Sequence, residues 1–351
     1  MVKIAAESKE FLRWLDPKEP PKMTVVNKKV VSFSQLKELI EELYEAKRNF
    51  DLKCKKNKLP RESMEQFMFT FFKHKFGLNT IVIEWVYALI EAIKLYHKKD
   101  NDVALFALIL RNEVDEEFAE IQAQIKLTIN DILMNLIETN NPNKGKREIN
   151  TMFSRKVKGR VSENIALEII NTMYTDEHPN KDEILNKLMI KIENDERKIM
   201  QGNLSVSKSI ANLRGKGNLN NSKTKILSIQ YLALVKIILD MQLKTHYSFL
   251  SNLSKEFKNL DKQNYGYISL EQFQNLVEVF TPDLATAKEM SEMMNSRDEF
   301  DSKTLTFSDV VVLFSAKHVE SNGEKITMLQ YIFELNDENE FEEEEYQDDE
   351  N

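Results

Sequence analysis

Apolar side chains recur every three or four residues along most of this chain, which is the spacing of a helix that buries one face. The first stripe predicts a helix over 34–55, with Ser34 as its N-cap. An aromatic run after Pro60 predicts a second helix, which ends at Gly77. A third helix is expected over 80–97, where nearly every residue is apolar.

Two further helices complete a predicted N-terminal domain. Asp102 is placed to cap a short helix, and Asp115 is placed to cap a longer helix that extends to Thr139. We therefore predict a helical domain over 31–140, preceded by an extended segment over 1–30.

The middle of the chain, 141–222, combines helical patterns with polar, basic stretches. Helices are predicted over 163–174 and 181–200. The stretches over 140–160 and 201–222 are rich in Asn, Ser, Gly and basic residues, which predicts basic linkers without regular structure. Their basic residues are Lys144, Lys146, Arg147, Arg155, Lys156, Lys158, Arg160, Lys208, Arg214 and Lys216.

Two interpretations of these basic linkers are open. They are ordinary solvated connections, or they contact polyanions such as nucleic acid or the acidic tails of other proteins. No aromatic residue lies among the basic residues of the second stretch, which argues against binding of single-stranded nucleic acid. Nucleic acid is therefore the less favoured partner.

A long apolar helix is predicted over 225–243, and it opens a C-terminal domain over 223–335. Within this domain, a segment of twelve residues has the frame of a calcium-binding loop. Such a loop takes oxygen ligands from positions 1, 3, 5, 7, 9 and 12, with glycine at position 6. Asp261 stands at position 1 and Gly266 at position 6, but Gln272 stands at position 12 in place of the bidentate glutamate.

A second copy of this frame follows at 298–309. Leu305 in the second copy corresponds to Ile268 in the first, at position 8 of each. Asp298 and Asp309 stand at positions 1 and 12, whereas a phenylalanine and a lysine occupy positions 3 and 6. The second copy therefore departs further from a calcium loop than the first.

With apolar residues on both sides of each loop, these segments resemble the EF-hand, calmodulin-like superfamily. The resemblance implies a pair of helix–loop–helix units whose position-8 residues meet in a short two-stranded ladder. It also implies an apolar groove that binds partner helices. The residues expected to bind a partner are Phe257, Leu260, Ile268, Phe273, Leu276, Met293, Met294, Leu305, Val310 and Phe314.

The loops of this pair lack most of the calcium ligands of the superfamily. The residues left at ligand positions are Asp261, Gln263, Ser269, Gln272, Asp298 and Asp309. Neither loop has a bidentate glutamate at position 12, so charge and closure are both insufficient. We therefore expect no calcium binding at the concentrations of a cytosolic sensor, and no other metal or cofactor.

Composition supports a helical, intracellular protein. The chain has 351 residues but 8 glycines and 7 prolines, and few turn-forming residues favour long helices. It has no run of 18 apolar residues and no secretory signal, so we expect a cytoplasmic protein outside the membrane. The single cysteine, Cys54, excludes an intramolecular disulfide.

The acidity of the chain is concentrated at its end. The formal net charge is −8, yet residues 337–351 carry ten acidic and no basic side chains, so the remaining residues carry +2. We predict a disordered acidic tail over 336–351. This tail either keeps the protein in solution or competes for the protein's own basic surface.

These observations predict an all-α protein: an N-terminal helical domain, middle helices with basic loops, a degenerate EF-hand pair and an acidic tail. The five histidines are dispersed and no catalytic motif is present, so we expect no enzyme activity. The Asn- and Lys-rich composition together with degenerate loops resembles the cytoskeletal, particularly axonemal, proteins of protists. That resemblance implies a structural or adaptor protein of the cytoskeleton or cilium, with helical segments and acidic tubulin tails as partners. The alternative is a weak calcium sensor.

Overall fold

The protein is mostly helical, so the prediction of an all-α fold is confirmed. The computed structural model describes residues 30–57, 59, 61–211, 227–280, 288–290, 292, 304–321, 324–330 and 332. The predicted extended segment over 1–30, except Val30, and the predicted tail over 336–351 lie outside these residues. The strands of the described part are three or four residues long and form three two-stranded antiparallel ladders.

The chain forms two compact units. Unit 1 combines Met1–Ala119 with Thr245–Asn351, and unit 2 is Glu120–Lys244. The predicted domain boundaries near residues 140 and 222 do not coincide with these units. The last part of the chain packs with the first part, so unit 1 is built from two segments. A division of the sequence into consecutive domains does not contain such a unit.

The first part of unit 1 is a set of four helices that pack against one another. They are α1 (Phe33–Asn57), α2 (Met64–Phe76), α3 (Asn79–Tyr96) and α4 (Asn101–Leu110). The aromatic run of α2 is mostly core: Phe67 and Phe72 are buried, and Phe76 stacks on Trp85 of α3 with ring centroids 5.1 Å apart.

Three of the predicted helix starts are wrong by two to four residues. Helix α1 is capped by Ser32 rather than Ser34, since the Ser32 hydroxyl accepts the Gln35 N–H. Helix α2 starts after Ser63 rather than at Pro60, and α4 is capped by Asp100 rather than Asp102. In each case the polar side chain that reaches the free N–H groups of the first turn sets the start.

The second part of unit 1 is a cluster of short strands and helices around one apolar core. The elements are β3 (Tyr267–Ser269), α10 (Leu270–Phe280), β4 (Thr304–Thr306), α11 (Phe307–Ala316), β5 (His318–Ser321) and β6 (Glu324–Thr327). Strands β3 and β4 are antiparallel, and Ile268 lies opposite Leu305. Phe257, Phe273, Phe307 and Phe314 are fully buried in this core.

Unit 2 contains structure where the sequence predicted linkers. Its elements are most of α5 (Phe118–Thr139), α6 (Lys146–Lys158), β1 (Arg160–Ser162), α7 (Glu163–Met173), α8 (Lys181–Ala211), β2 (Ser228–Gln230) and the start of α9 (Tyr231–Leu260). The prediction of a linker over 140–160 is therefore wrong. Half of the predicted linker over 201–222 is also helical, and 212–222 lie outside the described residues.

Helix α6 forms because its apolar residues share one side. Ile149 is buried, and Met152, Phe153 and Val157 pack against the core of unit 2. The predicted helix over 225–243 also begins later than expected, because Ser228–Gln230 first pair with Arg160–Ser162. Within unit 2, Val161 lies opposite Ile229 as Ile268 lies opposite Leu305 in unit 1.

One local arrangement therefore occurs in both units. Each of β1, β2, β3 and β4 leads directly into a helix, and each is paired with one other strand of its unit. The arrangement in unit 2 has no match in the predicted pair of loops and was not expected from the sequence.

Candidate functional site

The loop over 261–272 is closed by its own hydrogen bonds. One carboxylate oxygen of Asp261 accepts the backbone N–H of Tyr265, and the other accepts that of Gly266, both at 2.8 Å. Asp261 is itself buried. The carboxylate at position 1 is therefore satisfied by backbone donors of the same loop.

Gln272, at position 12, ties the two ends of this loop together. Its side-chain oxygen accepts the backbone N–H of Ser269 at 2.8 Å, and its Nε2 donates to the carbonyl of Leu260 at 2.6 Å. The Ser269 hydroxyl in turn accepts the Gln272 N–H at 3.2 Å. Reciprocal bonds of this kind form a capping box, here at the start of α10.

Helix α2 begins directly against the same loop. The Nε2 of Gln66 donates to the carbonyl oxygen of Tyr265 at 2.6 Å, while its Oε1 accepts the Ser63 N–H. Gly266 has φ +76°, and a Cβ added there would lie 2.6 Å from the Ser63 hydroxyl oxygen. The loop and the N-terminus of α2 therefore fit together only with glycine at position 6.

A buried carboxyl group lies beside this contact. Glu65 is almost inaccessible, and neither of its oxygens has a hydrogen-bond partner in the described part of the chain. Burial, and then the charge of Asp261, raise the pKa of Glu65 well above its ordinary value. Its neutral form is therefore the one that this environment favours.

The second loop uses its position-12 residue in a similar way. Asp309 forms a capping box with Thr306, which starts α11. Its other oxygen lies 3.6 Å from Nη1 of Arg61, a residue just before α2. Asp298 and the rest of this loop before residue 304 lie outside the described residues.

Arg61 is the centre of a network of charges in unit 1. Its guanidinium donates to Asp51 at 3.1 Å and to Glu116 and Glu117 at 3.0 Å each. Lys47 also contacts Glu116, at 3.1 Å. The network thus joins α1, the segment before α2, the turn before α5 and the second loop.

Burial and charge oppose each other in this network. Burial lowers the pKa of Arg61, but Glu116 and the other carboxylates outweigh it and raise that pKa overall. Burial raises the pKa of Glu116, and the cations of Lys47 and Arg61 counteract only part of that rise. The ion pairs are therefore held in partly desolvated surroundings.

The residues predicted to bind partner helices are instead core residues of unit 1. Phe257, Ile268, Phe273, Leu276, Leu305, Val310 and Phe314 are buried in one cluster, Leu260 packs against it, and Met293 and Met294 lie outside the described residues. Met328, Leu329 and Ile332 are buried in the same cluster. The predicted partner-binding residues that the structure describes therefore pack among residues of their own unit and do not form an open groove.

Two of the remaining predicted residues lie within the first loop. Gln263 is exposed and Ser269 caps α10. Lys208 lies in α8, and Arg214 and Lys216 lie outside the described residues. The other basic residues lie on or beside α6 and β1, within unit 2.

Sequence reasoning missed the residues that approach the loops from the N-terminal part of the chain. Ser63 and Gln66 have the spacing of a capping box, which was visible in the sequence and marks the true start of α2. No comparable signal marks Arg61, because its partners come from segments far apart along the chain.

The described residues contain no group of three or more His, Cys, Asp or Glu side chains arranged to hold a metal ion. No helix in the described part of the chain has the length and apolarity needed to cross a bilayer. No known protein family, curated protein or solved structure is found to be similar to this chain.

Proposed function

We propose that this chain is a non-enzymatic structural or adaptor protein, in which the EF-hand-like pair is a metal-independent packing module. One observation carries the proposal: both position-12 residues, Gln272 and Asp309, are used as helix caps. In a calcium loop this residue closes the site around the ion. Here hydrogen bonds within the chain supply that closure.

The surroundings of both loops support metal independence. Both oxygens of Asp261 already accept backbone N–H groups, and Tyr265 offers no carboxylate or amide at position 5. Arg61 lies beside Asp309, so a fixed positive charge already stands near the carboxylate. A calcium ion would have to displace these partners and would still lack a bidentate ligand in the first loop.

Calorimetric titration of the full chain with calcium chloride tests this proposal. We expect no binding in the range of about 10⁻⁷–10⁻⁵ M that is typical of sensors. We also expect the same unfolding temperature in EDTA as in 1 mM calcium. Micromolar affinity, or a clear rise of the unfolding temperature with calcium, would instead support the alternative of a weak calcium sensor.

The proposed adaptor role does not require an open apolar groove in the EF-hand-like pair. The apolar residues of the pair stabilise unit 1 itself, so partners are to be sought on the exposed surface. We propose that the larger assembly is cytoskeletal or axonemal and that the protein is cytoplasmic, on the resemblance to protist proteins and the exposed basic residues Arg147, Arg155 and Lys158 of unit 2. The tagged chain should then stay with the detergent-insoluble cytoskeleton equally in EDTA and in calcium, and complete extraction by detergent would contradict this assignment.

A further inference from the structure

Most of the basic residues near α6 carry positive charge that no ion pair in the described part of the chain neutralises. Residues 144–160 contain seven basic side chains and one acidic side chain, Glu148. Arg160 is paired, with Asp195 at 3.7 Å. By contrast, Arg147, Arg155 and Lys158 are exposed and have no ion-pair partner in the described part of the chain.

These three residues share the side of α6 that faces away from the core. Ile149, Met152, Phe153 and Val157 fix the opposite side against the core of unit 2. Successive helical residues are rotated by about 100°, which places Arg147 and Lys158 nearly in line and Arg155 close to them. The exposed hydroxyl residues Thr151 and Ser154 lie between them. We call Arg147, Arg155 and Lys158 the basic face of α6.

We propose that the basic face of α6 binds a short glutamate-rich polypeptide segment of a partner protein. This inference rests on the proposed adaptor function and names the class of partner. Arginine guanidinium groups pair with carboxylates through two parallel hydrogen bonds, so two arginines on one face suit such a ligand.

The length of the face matches a short peptide. Arg147 and Lys158 are eleven residues apart, which is about 16 Å along the helix axis. An extended peptide covers that distance with about five residues. Five residues that include three or four glutamates can therefore reach all three cations.

Other polyanions fit this surface less well. The apolar side of α6 is packed into the core of unit 2, so it is not free to enter a membrane. No aromatic residue lies on the basic face to stack with the bases of a single strand. Three cations along about 16 Å can neutralise only a few phosphates of a duplex, whereas a five-residue segment lies within that length.

Fluorescence anisotropy of a labelled octaglutamate peptide with the full chain tests this proposal. We expect saturable binding at 50 mM salt that weakens several-fold at 200 mM salt. The triple variant Arg147→Glu, Arg155→Glu, Lys158→Glu should lose about tenfold or more in affinity. Circular dichroism must show that this variant keeps its helix content.

The matched control changes three exposed lysines of α1, with Lys53→Glu, Lys55→Glu and Lys56→Glu. It alters the net charge by the same amount, so its affinity should stay within about twofold of the native protein. Equal losses in both variants, no saturable binding, or tighter binding of a twelve-nucleotide RNA or of anionic vesicles would overturn the proposal. If such a result comes with no calcium binding in the titration, the proposal of a metal-independent module still holds although the proposal for the basic face of α6 fails.

Discussion

At the residue scale, Gly266 shows how closely the first loop and α2 approach each other. Its φ of +76° lies in the left-handed region that residues with a Cβ avoid. Gly77, the C-cap of α2, also has a positive φ, but a Cβ added there would meet no atom within 4 Å. The two glycines therefore share a conformation but differ in the space around them.

We predict that Gly266→Ala destabilises the protein more than Gly77→Ala. The conformational cost is about 1 kcal/mol at either site. At Gly266 the added methyl also collides with Ser63, and such overpacking costs a further 1–3 kcal/mol or so. Urea unfolding of both variants measures the difference.

Removing the Ser63 side chain supplies the control. Ser63→Gly should cost only a few tenths of a kcal/mol as an N-cap change, and it removes the atoms that the new methyl meets. The pair Ser63→Gly with Gly266→Ala should therefore recover most of the extra loss. If Gly266→Ala and Gly77→Ala lower the free energy of unfolding equally, the close approach of Gly266 to Ser63 is contradicted.

Glu65 makes a prediction about pH. Its pKa is raised in the folded protein, so the folded state binds more protons than the unfolded state at pH values between the two pKa values. Stability from this group is therefore full below the ordinary glutamate pKa and is lost as the pH rises towards the folded value. Glu65→Gln should flatten this fall and leave the protein more stable than the native chain at pH 8, measured by urea unfolding from pH 5 to 8.

Glu41→Gln is the matched control, since Glu41 is exposed on α1. It should leave the pH dependence as it is in the native chain. Some slope will persist in Glu65→Gln, because burial also raises the pKa of Glu116. A slope as steep in Glu65→Gln as in the native chain would contradict the assignment.

At the scale of elements, Arg61 holds four separate segments together. Its partners come from α1, from the turn before α5 and from α11, through Asp51, Glu116 and Asp309. Removing one member of a buried network leaves the opposite charges unpaired in poorly solvated surroundings. The loss is therefore larger than the net contribution of the ion pairs themselves.

We expect Arg61→Ala to lower the free energy of unfolding by about 3 kcal/mol. Arg61→Lys keeps the charge but not the planar set of donors, so it should lose about 1–2 kcal/mol. Lys75→Ala removes the exposed pair with Glu42 and should cost less than about 1 kcal/mol. If Arg61→Ala behaves like Lys75→Ala in urea unfolding, the network does not stabilise unit 1.

Gln272→Glu tests whether one ligand would restore a calcium site. A carboxylate can accept the Ser269 N–H but cannot donate to the Leu260 carbonyl. The free energy of unfolding should therefore fall by about 1–3 kcal/mol. Calcium should still not bind in the micromolar range, because the oxygens of Asp261 already accept N–H groups. Gln274→Glu adds the same charge at an exposed site of α10 and should change stability by less than about 0.5 kcal/mol.

The sequence predicts a helix well where the spacing of apolar residues sets its extent. It predicts the first residue of a helix less well, because a single polar cap sets that position. The apolar run of α3 predicts both ends of that helix to within a residue, and Gly77 marks the end of α2. Ser32 and Ser34 are both good caps, so spacing alone could not choose between them. In α6 the many basic residues hid an apolar stripe that was present in the sequence.

At the scale of the whole molecule, contacts between residues far apart in sequence determine features that the spacing of apolar residues does not predict. Strands β1 and β2 are three residues each and pair across about seventy residues, so neither carries a recognisable signal by itself. The network of Arg61 and the contact of Gln66 with Tyr265 depend likewise on how the ends of unit 1 come together. Seven of the ten apolar residues predicted to bind a partner are buried, and they pack against other residues of the same chain.

The apolar cores of the two units predict two separable unfolding transitions. Phe257 is fully buried in the core of residues 250–332, and Ile169 is fully buried in the core of residues 125–241. Truncation to alanine at either site should cost about 2–5 kcal/mol. Trp85 lies in α3 of unit 1, so in a Trp14→Phe background its fluorescence follows unit 1, while circular dichroism follows the helices of both units.

We expect Phe257→Ala to shift the fluorescence transition in urea to lower concentration. Ile169→Ala should leave that transition in place and shift only part of the circular dichroism signal, because its neighbours lie in the other core. Each variant is the control for the other, since both remove a fully buried side chain. If both variants shift both signals together, the two cores unfold as one cooperative structure, and the metal-independent module could not be assigned a stability of its own.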